Sequence, residues 1–109
     1  MKITVNHADF DHQTGEVLGY TPVAIVDAYA FNKVEEALEY AWRYTNNVDG
    51  SWSMKIGSDA NDDVTVLAEL PVSKRTGNAM GLRSSMMGDR FEVDGVQYKV
   101  AMAGFKEVA

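Results

Sequence analysis

The segment 90–102 constrains the fold of this chain more than any other stretch. Apolar and polar residues alternate on both sides of the dipeptide Asp94-Gly95. Asp-Gly is favoured in the two-residue type I′ turn, because both central residues of that turn need a positive φ angle. The pattern therefore predicts a C-terminal β-hairpin, followed by a bend at Gly104 and a buried anchor at Phe105.

One amphipathic helix is predicted over residues 33–44. Its apolar face is formed at helical spacing by Val34, Ala37, Leu38, Ala41 and Thr45, with Trp42 at the margin. Asn32 is the expected N-cap, and Glu35 three residues later completes a capping-box-like arrangement. Glu39 is expected to pair with Arg43 one turn along the outer face.

The other extended segments predicted from apolar alternation and β-branched content are 3–5, 21–29, 51–56 and 64–70. Pro22 favours an edge position or a strand start for the second of them. With the hairpin, these segments predict an α+β fold in which one principal helix packs on a mainly antiparallel sheet of four to six strands. The 109 residues fit a single domain, residues 1–109, without a linker.

Composition and charge narrow the classes of function. The chain has no cysteine, which excludes disulfides and thiolate metal ligands. Its net charge is −6: residues 1–70 hold 12 acidic and 4 basic side chains, and residues 71–109 hold 4 acidic and 6 basic ones. An acidic protein is a poor general binder of phosphate backbones, so direct nucleic-acid binding is not expected. No apolar run is long enough for a membrane span or a signal peptide, so we expect a soluble intracellular protein.

Two clusters have the residue types of a metal site but not its pattern. His7, Asp9, Asp11 and His12 offer imidazole and carboxylate ligands, yet the chain has only two histidines, and a solvated loop is the expected structure of this segment. A second cluster, 59–63, mimics the first ligand positions of an EF-hand loop. It is rejected because valine and leucine stand where that loop needs glycine and glutamate.

No nucleophile elbow, phosphate-binding lysine motif or dinucleotide glycine fingerprint occurs, so we predict no catalytic residue, no metal and no cofactor. The candidate binding residues lie in the irregular segment before the hairpin, near the helix end and in the acidic loop: Arg83, Ser84, Asp89, Arg90, Trp52, Tyr44, Asp59, Asp62 and Asp63. Arg83 is expected to pair with Asp89 and to hold the start of the hairpin in place; a ligand or partner site is the alternative. The aromatic side chains are either core or contact anchors.

Four motifs resemble those of a group of small phage-encoded accessory proteins. They are Trp-Arg-Tyr-Thr-Asn-Asn at 42–47, Gly-Ser-Trp-Ser at 50–53, Arg-Ser-Ser-Met-Met-Gly-Asp at 83–89 and Gly-Phe-Lys-Glu at 104–107. The resemblance covers residues 31–109. Met86 stands where these proteins usually have a second serine in the third motif, so any hydrogen bond made by that serine is absent here. The resemblance implies a phage protein in an infected bacterium and supplies no mechanism.

Resemblance and charge together predict a non-enzymatic protein that binds a host bacterial protein in the host cytoplasm and modulates or inhibits it, as in counter-defence or host takeover. The acidic first two-thirds of the chain would face a basic surface of that partner. The alternatives are a binder of a small molecule such as a nucleotide-type signal, using Arg83, Arg90 and Lys74, or a minor virion or assembly component. A metal-dependent hydrolase built on the two histidines is a further, minor alternative.

Overall fold

Within residues 1–108, six strands and one α-helix make up the fold. The computed structural model describes residues 1–108. Its elements are β1 (Lys2–Phe10), β2 (Val17–Asp27), α1 (Val34–Tyr44), β3 (Val64–Val66), β4 (Arg90–Val93), β5 (Val96–Val100) and β6 (Phe105–Glu107), with a short 3₁₀ turn at Gly57–Asp59. The strands form one sheet in the order β3-β2-β1-β4-β5-β6, and every neighbouring pair is antiparallel. The predicted α+β fold is confirmed.

The helix covers one face of the sheet. Ala37, Leu38 and Ala41 of α1 are buried in the same cluster as Ile3 and Val5 of the central strand β1. Because side chains alternate across a strand, the neighbours of these core residues point to the opposite face of the sheet. Among residues 1–108, no helix has the length and apolar content needed to cross a bilayer.

The C-terminal hairpin forms as predicted. Asp94 and Gly95 have φ angles of 50° and 80°, the positive values that a type I′ turn requires. The second strand ends at Val100 rather than at the predicted Met102, because the chain turns back there and pairs β6 with β5. Phe105 is half-buried and packs against the core cluster.

The first two strands are longer than the sequence indicates. Residues 6–10, predicted as part of a loop, continue β1, which pairs with β2 across two register shifts. Pro22 lies inside β2, beside one of these shifts. That part of β2 has a single neighbouring strand, since β3 pairs only with Ala24–Val26. It is an edge position, which proline tolerates.

Three local predictions are wrong. Residues 51–56 form a tight turn closed by one isolated bridge between Ser51 and Ile56, and the predicted strand 64–70 ends at Val66. The helix is capped by Lys33, whose side chain makes no capping hydrogen bond, instead of by Asn32. For the two strand predictions the local pattern is overridden by tertiary context, because an extended segment gains stability only where it pairs with a neighbouring strand.

The hairpin turn provides a direct test of the fold. Replacing Gly95, where φ is 80°, by alanine should lower the free energy of unfolding by about 1 kcal/mol, because a Cβ atom disfavours this backbone conformation. Gly19→Ala is the matched control: a Cβ atom there also meets open space, but φ is not positive. Urea denaturation should show the control unchanged or slightly more stable. Equal losses in both variants would contradict the turn assignment.

Candidate functional site

An ion pair between Arg83 and Asp89 takes the place of a missing strand beside β1. On that side β4 pairs with β1 only from Thr4 to Asn6. Beyond this point the N–H of Ala8 donates to Oδ1 of Asp89 at 2.8 Å, and Nη2 of Arg83 donates to the carbonyl oxygen of Ala8 at 3.0 Å. The backbone of Ala8 thus bonds to two side chains as it would to a strand. This explains why a polar segment remains extended.

The pair itself is bidentate. Nη1 and Nη2 of Arg83 lie 2.8 and 2.9 Å from the two carboxylate oxygens of Asp89, which is fully buried. Burial alone would raise the pKa of the Asp89 carboxyl, but the hydrogen bonds from Arg83, Ala8 and the N–H of Met86 outweigh it and hold that pKa below its usual range. The predicted pairing of Arg83 with Asp89 is confirmed. Both terminal nitrogens of the guanidinium are fully engaged within the protein.

A chain of hydrogen bonds connects this pair to the end of the helix. The Thr45 hydroxyl donates to the carbonyl oxygen of Ala41, so it accepts from the Ser85 hydroxyl at 2.8 Å. The single proton of Ser85 is then used, and its oxygen accepts from Nε2 of His7 at 3.0 Å. The network therefore fixes the tautomer of His7 with the proton on Nε2. It joins β1, α1 and the segment before the hairpin.

Serine, histidine and aspartate meet here without the geometry of a catalytic triad. In a triad the serine and the carboxylate contact opposite nitrogens of the imidazole. Here Ser85 and Asp89 both face Nε2 of His7, at 3.0 and 3.8 Å. Ser85 is also buried and donates its proton to Thr45. The arrangement supports a structural role for all three side chains.

Burial keeps His7 neutral. Desolvation lowers its pKa to about 4, against the opposing attraction of the Asp89 carboxylate. The 3.8 Å contact between Nε2 and Asp89 is consequently not an ion pair at neutral pH. The His7 ring packs edge-on against Trp52, whose indole N–H donates to the carbonyl oxygen of Arg83.

Asp59 organises a second buried cluster, at the end of the helix. Its Oδ2 accepts from the N–H groups of Val48, Asp49 and Gly50 at 2.9, 2.9 and 2.7 Å, and its Oδ1 accepts from Arg43 at 3.1 Å. The hydrogen bond from Gly50, with the others, holds the pKa of the Asp59 carboxyl below its usual value against the effect of burial. Because Arg43 turns toward Asp59, the predicted pair between Glu39 and Arg43 does not form.

The other candidate residues are dispersed. Trp52 is fully buried in the core, and the Ser84 hydroxyl accepts from the backbone N–H of Asn47.

Tyr44 is half-buried beneath the Arg43 guanidinium, and Asp63 accepts from the Tyr40 hydroxyl. Asp62 is fully exposed. Arg90 lies on the face of the sheet opposite the helix.

The histidine and aspartate residues of the first cluster are separated. His7 is in the buried network, Asp9 accepts from the Thr21 hydroxyl, and Asp11 accepts from the backbone N–H groups of Gln13 and Thr14. The loop predicted for this segment is wrong from residue 7 to residue 10, which belong to β1. Within residues 1–108, no three histidine, aspartate or glutamate side chains are placed to hold a metal ion.

One surface was missed by the sequence reasoning. Glu35, Glu36 and Glu39 line an open depression of about 510 Å³ together with Phe31 and Tyr40. We call these five residues the acidic helix surface. The spacing of the glutamates along the helix was visible in the sequence, but the depression depends on where the chain before the helix folds back.

Comparison with known proteins leaves the chain without an assigned family. No protein-family model, no curated protein and no solved structure matches it.

Replacing Arg83 by lysine tests the ion pair. Lysine keeps the charge but cannot bond to both oxygens of Asp89 and to the carbonyls of Ala8 and Ser84, so the free energy of unfolding should fall by about 2 kcal/mol. Arg75→Lys, in an exposed loop, is the control and should change it by less than about 0.5 kcal/mol. Urea denaturation measures both. An Arg83→Lys protein as stable as the control would overturn the role of the pair.

Replacing His7 by glutamine tests the pH dependence. The folded protein resists protonation of His7 down to about pH 4, whereas the unfolded chain takes up this proton below about pH 6.5. Stability should therefore fall between pH 6.5 and pH 4, by on the order of 3 kcal/mol. His7→Gln keeps a donor toward Ser85 and should remove this decline, leaving only the loss below about pH 4 as carboxylates such as Asp89 are protonated.

Denaturation curves across this pH range, with His12→Gln as the control at an exposed histidine, measure the effect. The control should follow the wild-type curve. A His7→Gln protein that loses stability as the wild type does between pH 6.5 and pH 4 would show that another group titrates.

Proposed function

We propose that this chain is a non-enzymatic phage accessory protein that binds a host bacterial protein in the host cytoplasm and modulates or inhibits it. The acidic helix surface carries the proposal. Its three glutamates are exposed, and none of them takes part in an ion pair within residues 1–108. A partner with a basic surface would supply the missing counter-charges.

The helix leaves these charges available for a physical reason. Glu35 and Glu36 are in its first turn, where the positive end of the helix dipole stabilises them. Glu39 is beyond that turn, and the arginine that would pair with it is bound to Asp59. The charge of Glu39 is thus not needed to stabilise the fold and remains free to attract a cation.

Aromatic side chains next to the glutamates supply contact area. Tyr29 is 74% exposed and lines a smaller depression of about 120 Å³. Phe31 and Tyr40 line both this depression and that of the acidic helix surface. Phe31 and Tyr40 are half-buried, whereas Tyr29 is exposed. Tyrosine is enriched among the central contacts of protein interfaces, and aromatic ring faces attract arginine and lysine.

The internal use of polar groups supports a binding role over catalysis. Arg83, Asp89, Asp59 and Ser85 are committed to hydrogen bonds that hold loops and strands together. The pKa of His7, lowered to about 4, is far from the value near 7 that suits a general base. Binding through surface charge and aromatic rings needs none of these groups.

Capture from bacterial lysate at low and moderate salt, followed by mass spectrometry, tests the proposal. The variant replaces Glu35, Glu36 and Glu39 by glutamine. The control replaces the exposed residues Glu16, Glu69 and Glu107 by glutamine, which changes the net charge equally. We expect a stoichiometric partner that the control retains and the helix variant binds at least tenfold more weakly, with an association rate that falls as salt is added.

A partner bound equally by both variants would contradict the assigned surface. No partner at any salt concentration would contradict the function and favour the small-molecule or virion alternatives. A thermal-shift panel of cyclic and modified nucleotides, and a search for the protein in purified phage particles, then separate those two.

A further inference from the structure

The face of the sheet opposite the helix carries a row of cations. Arg90 on β4 lies directly opposite Lys99 on β5, and Lys99 lies directly opposite Lys106 on β6. The next residues along β4 and β6, Phe91 and Phe105, belong to or pack on the core cluster, so the three cations project from the other face. We call these three residues the basic row. Neighbouring strands are about 5 Å apart, so the row spans about 10 Å.

This arrangement costs stability. Like charges placed directly opposite each other on neighbouring strands destabilise a sheet. No carboxylate forms an ion pair with the basic row anywhere in residues 1–108. Glu92 shares this face, but it lies opposite Gln97 in the next row and pairs with none of the three cations. This local excess of positive charge contrasts with the net charge of −6 of the whole chain.

Protection of the sheet edge accounts for only part of the row. Lysine on an edge strand discourages pairing with other chains, which explains Lys106 on β6. Arg90 and Lys99 are on β4 and β5, each of which has a neighbour on both sides. A different reason is needed for these two residues.

Arg90 is held in place with part of its donor capacity unused. Its guanidinium lies 4.6 Å from the centre of the Tyr20 ring, and its Nη1 donates to Gln97 at 3.2 Å. Its Nε is buried without any hydrogen-bond partner, the only such side-chain atom found within residues 1–108. A buried donor without a partner is costly. Nη2 makes no hydrogen bond within residues 1–108 and stays open to solvent, so it can donate to a ligand.

We infer that the basic row is a binding site for phosphate groups, carried by a nucleotide or by a single-stranded oligonucleotide. Arginine binds phosphate oxygens through two parallel N–H groups, and the lysines add two point charges within reach of the same or the next phosphate. The Tyr20 ring, with its centre 4.6 Å from the guanidinium, orients Arg90. The site lies on the opposite side of the sheet from the acidic helix surface, and it does not depend on the proposed binding of a host protein.

Two probes test the site and distinguish the two sources of phosphate. Titration of ATP and pyrophosphate by calorimetry tests free phosphate groups, and fluorescence anisotropy of a labelled oligothymidylate of about 12 nucleotides tests a phosphodiester chain. The variant replaces Lys99 and Lys106 by glutamine. The control replaces Lys33 and Arg75, two exposed residues outside the basic row, by glutamine and removes the same charge.

At low salt we expect the control to bind as the wild type does and the variant to bind at least tenfold more weakly. For the oligonucleotide, the slope of log affinity against log salt should become shallower by about 1.4, since two phosphate contacts are lost. If only the oligonucleotide binds, the ligand is a nucleic-acid strand. If ATP and pyrophosphate bind with an affinity comparable to that of the oligonucleotide, the ligand is a free phosphate compound. Absence of binding by every probe at low salt, or equal weakening in both variants, would overturn the proposal.

Discussion

The bidentate contact between Arg83 and Asp89 is the interaction on which the rest of the structure depends. It satisfies the backbone of Ala8 where β1 has no strand beside it, and it fixes the segment that contains Ser85. Ser85 in turn connects His7 of β1 to Thr45 at the end of the helix. A single ion pair with a fully buried carboxylate can hold these elements, because the desolvation of that carboxylate is offset by hydrogen bonds from Arg83 and from backbone N–H groups that would otherwise be unpaired.

The use of polar groups divides the molecule into an interior network and two charged surfaces. Buried aspartates accept hydrogen bonds from backbone N–H groups and from arginine, so these donors are satisfied within the protein. Among the charges that are left, three glutamates lie along the helix and the basic row lies on the opposite side of the sheet. The net charge of −6 does not show where these charges lie. Each surface therefore suits a partner of the opposite charge.

The sequence predicted those parts of the fold and site whose partners are close along the chain. The hairpin follows from Asp94-Gly95, the helix from its apolar spacing, and the pairing of Arg83 with Asp89 from a separation of only six positions. The extension of β1 and the partner of Arg43, which were missed, depend on residues farther away along the chain. The extension of β1 needs side chains about 80 positions away. Asp59 binds Arg43, which was expected to pair with Glu39 on the helix.

By itself, the sequence determined the class of fold, the helix, the C-terminal hairpin and the absence of any thiol chemistry, because periodicity, turn residues and composition act locally. Only the tertiary structure decided which charges are buried and which are free. A carboxylate such as Asp59 and one such as Asp62 look alike in a sequence, yet one is enclosed by backbone donors and the other is fully exposed. That difference arises from desolvation and hydrogen bonding between segments that meet only on folding.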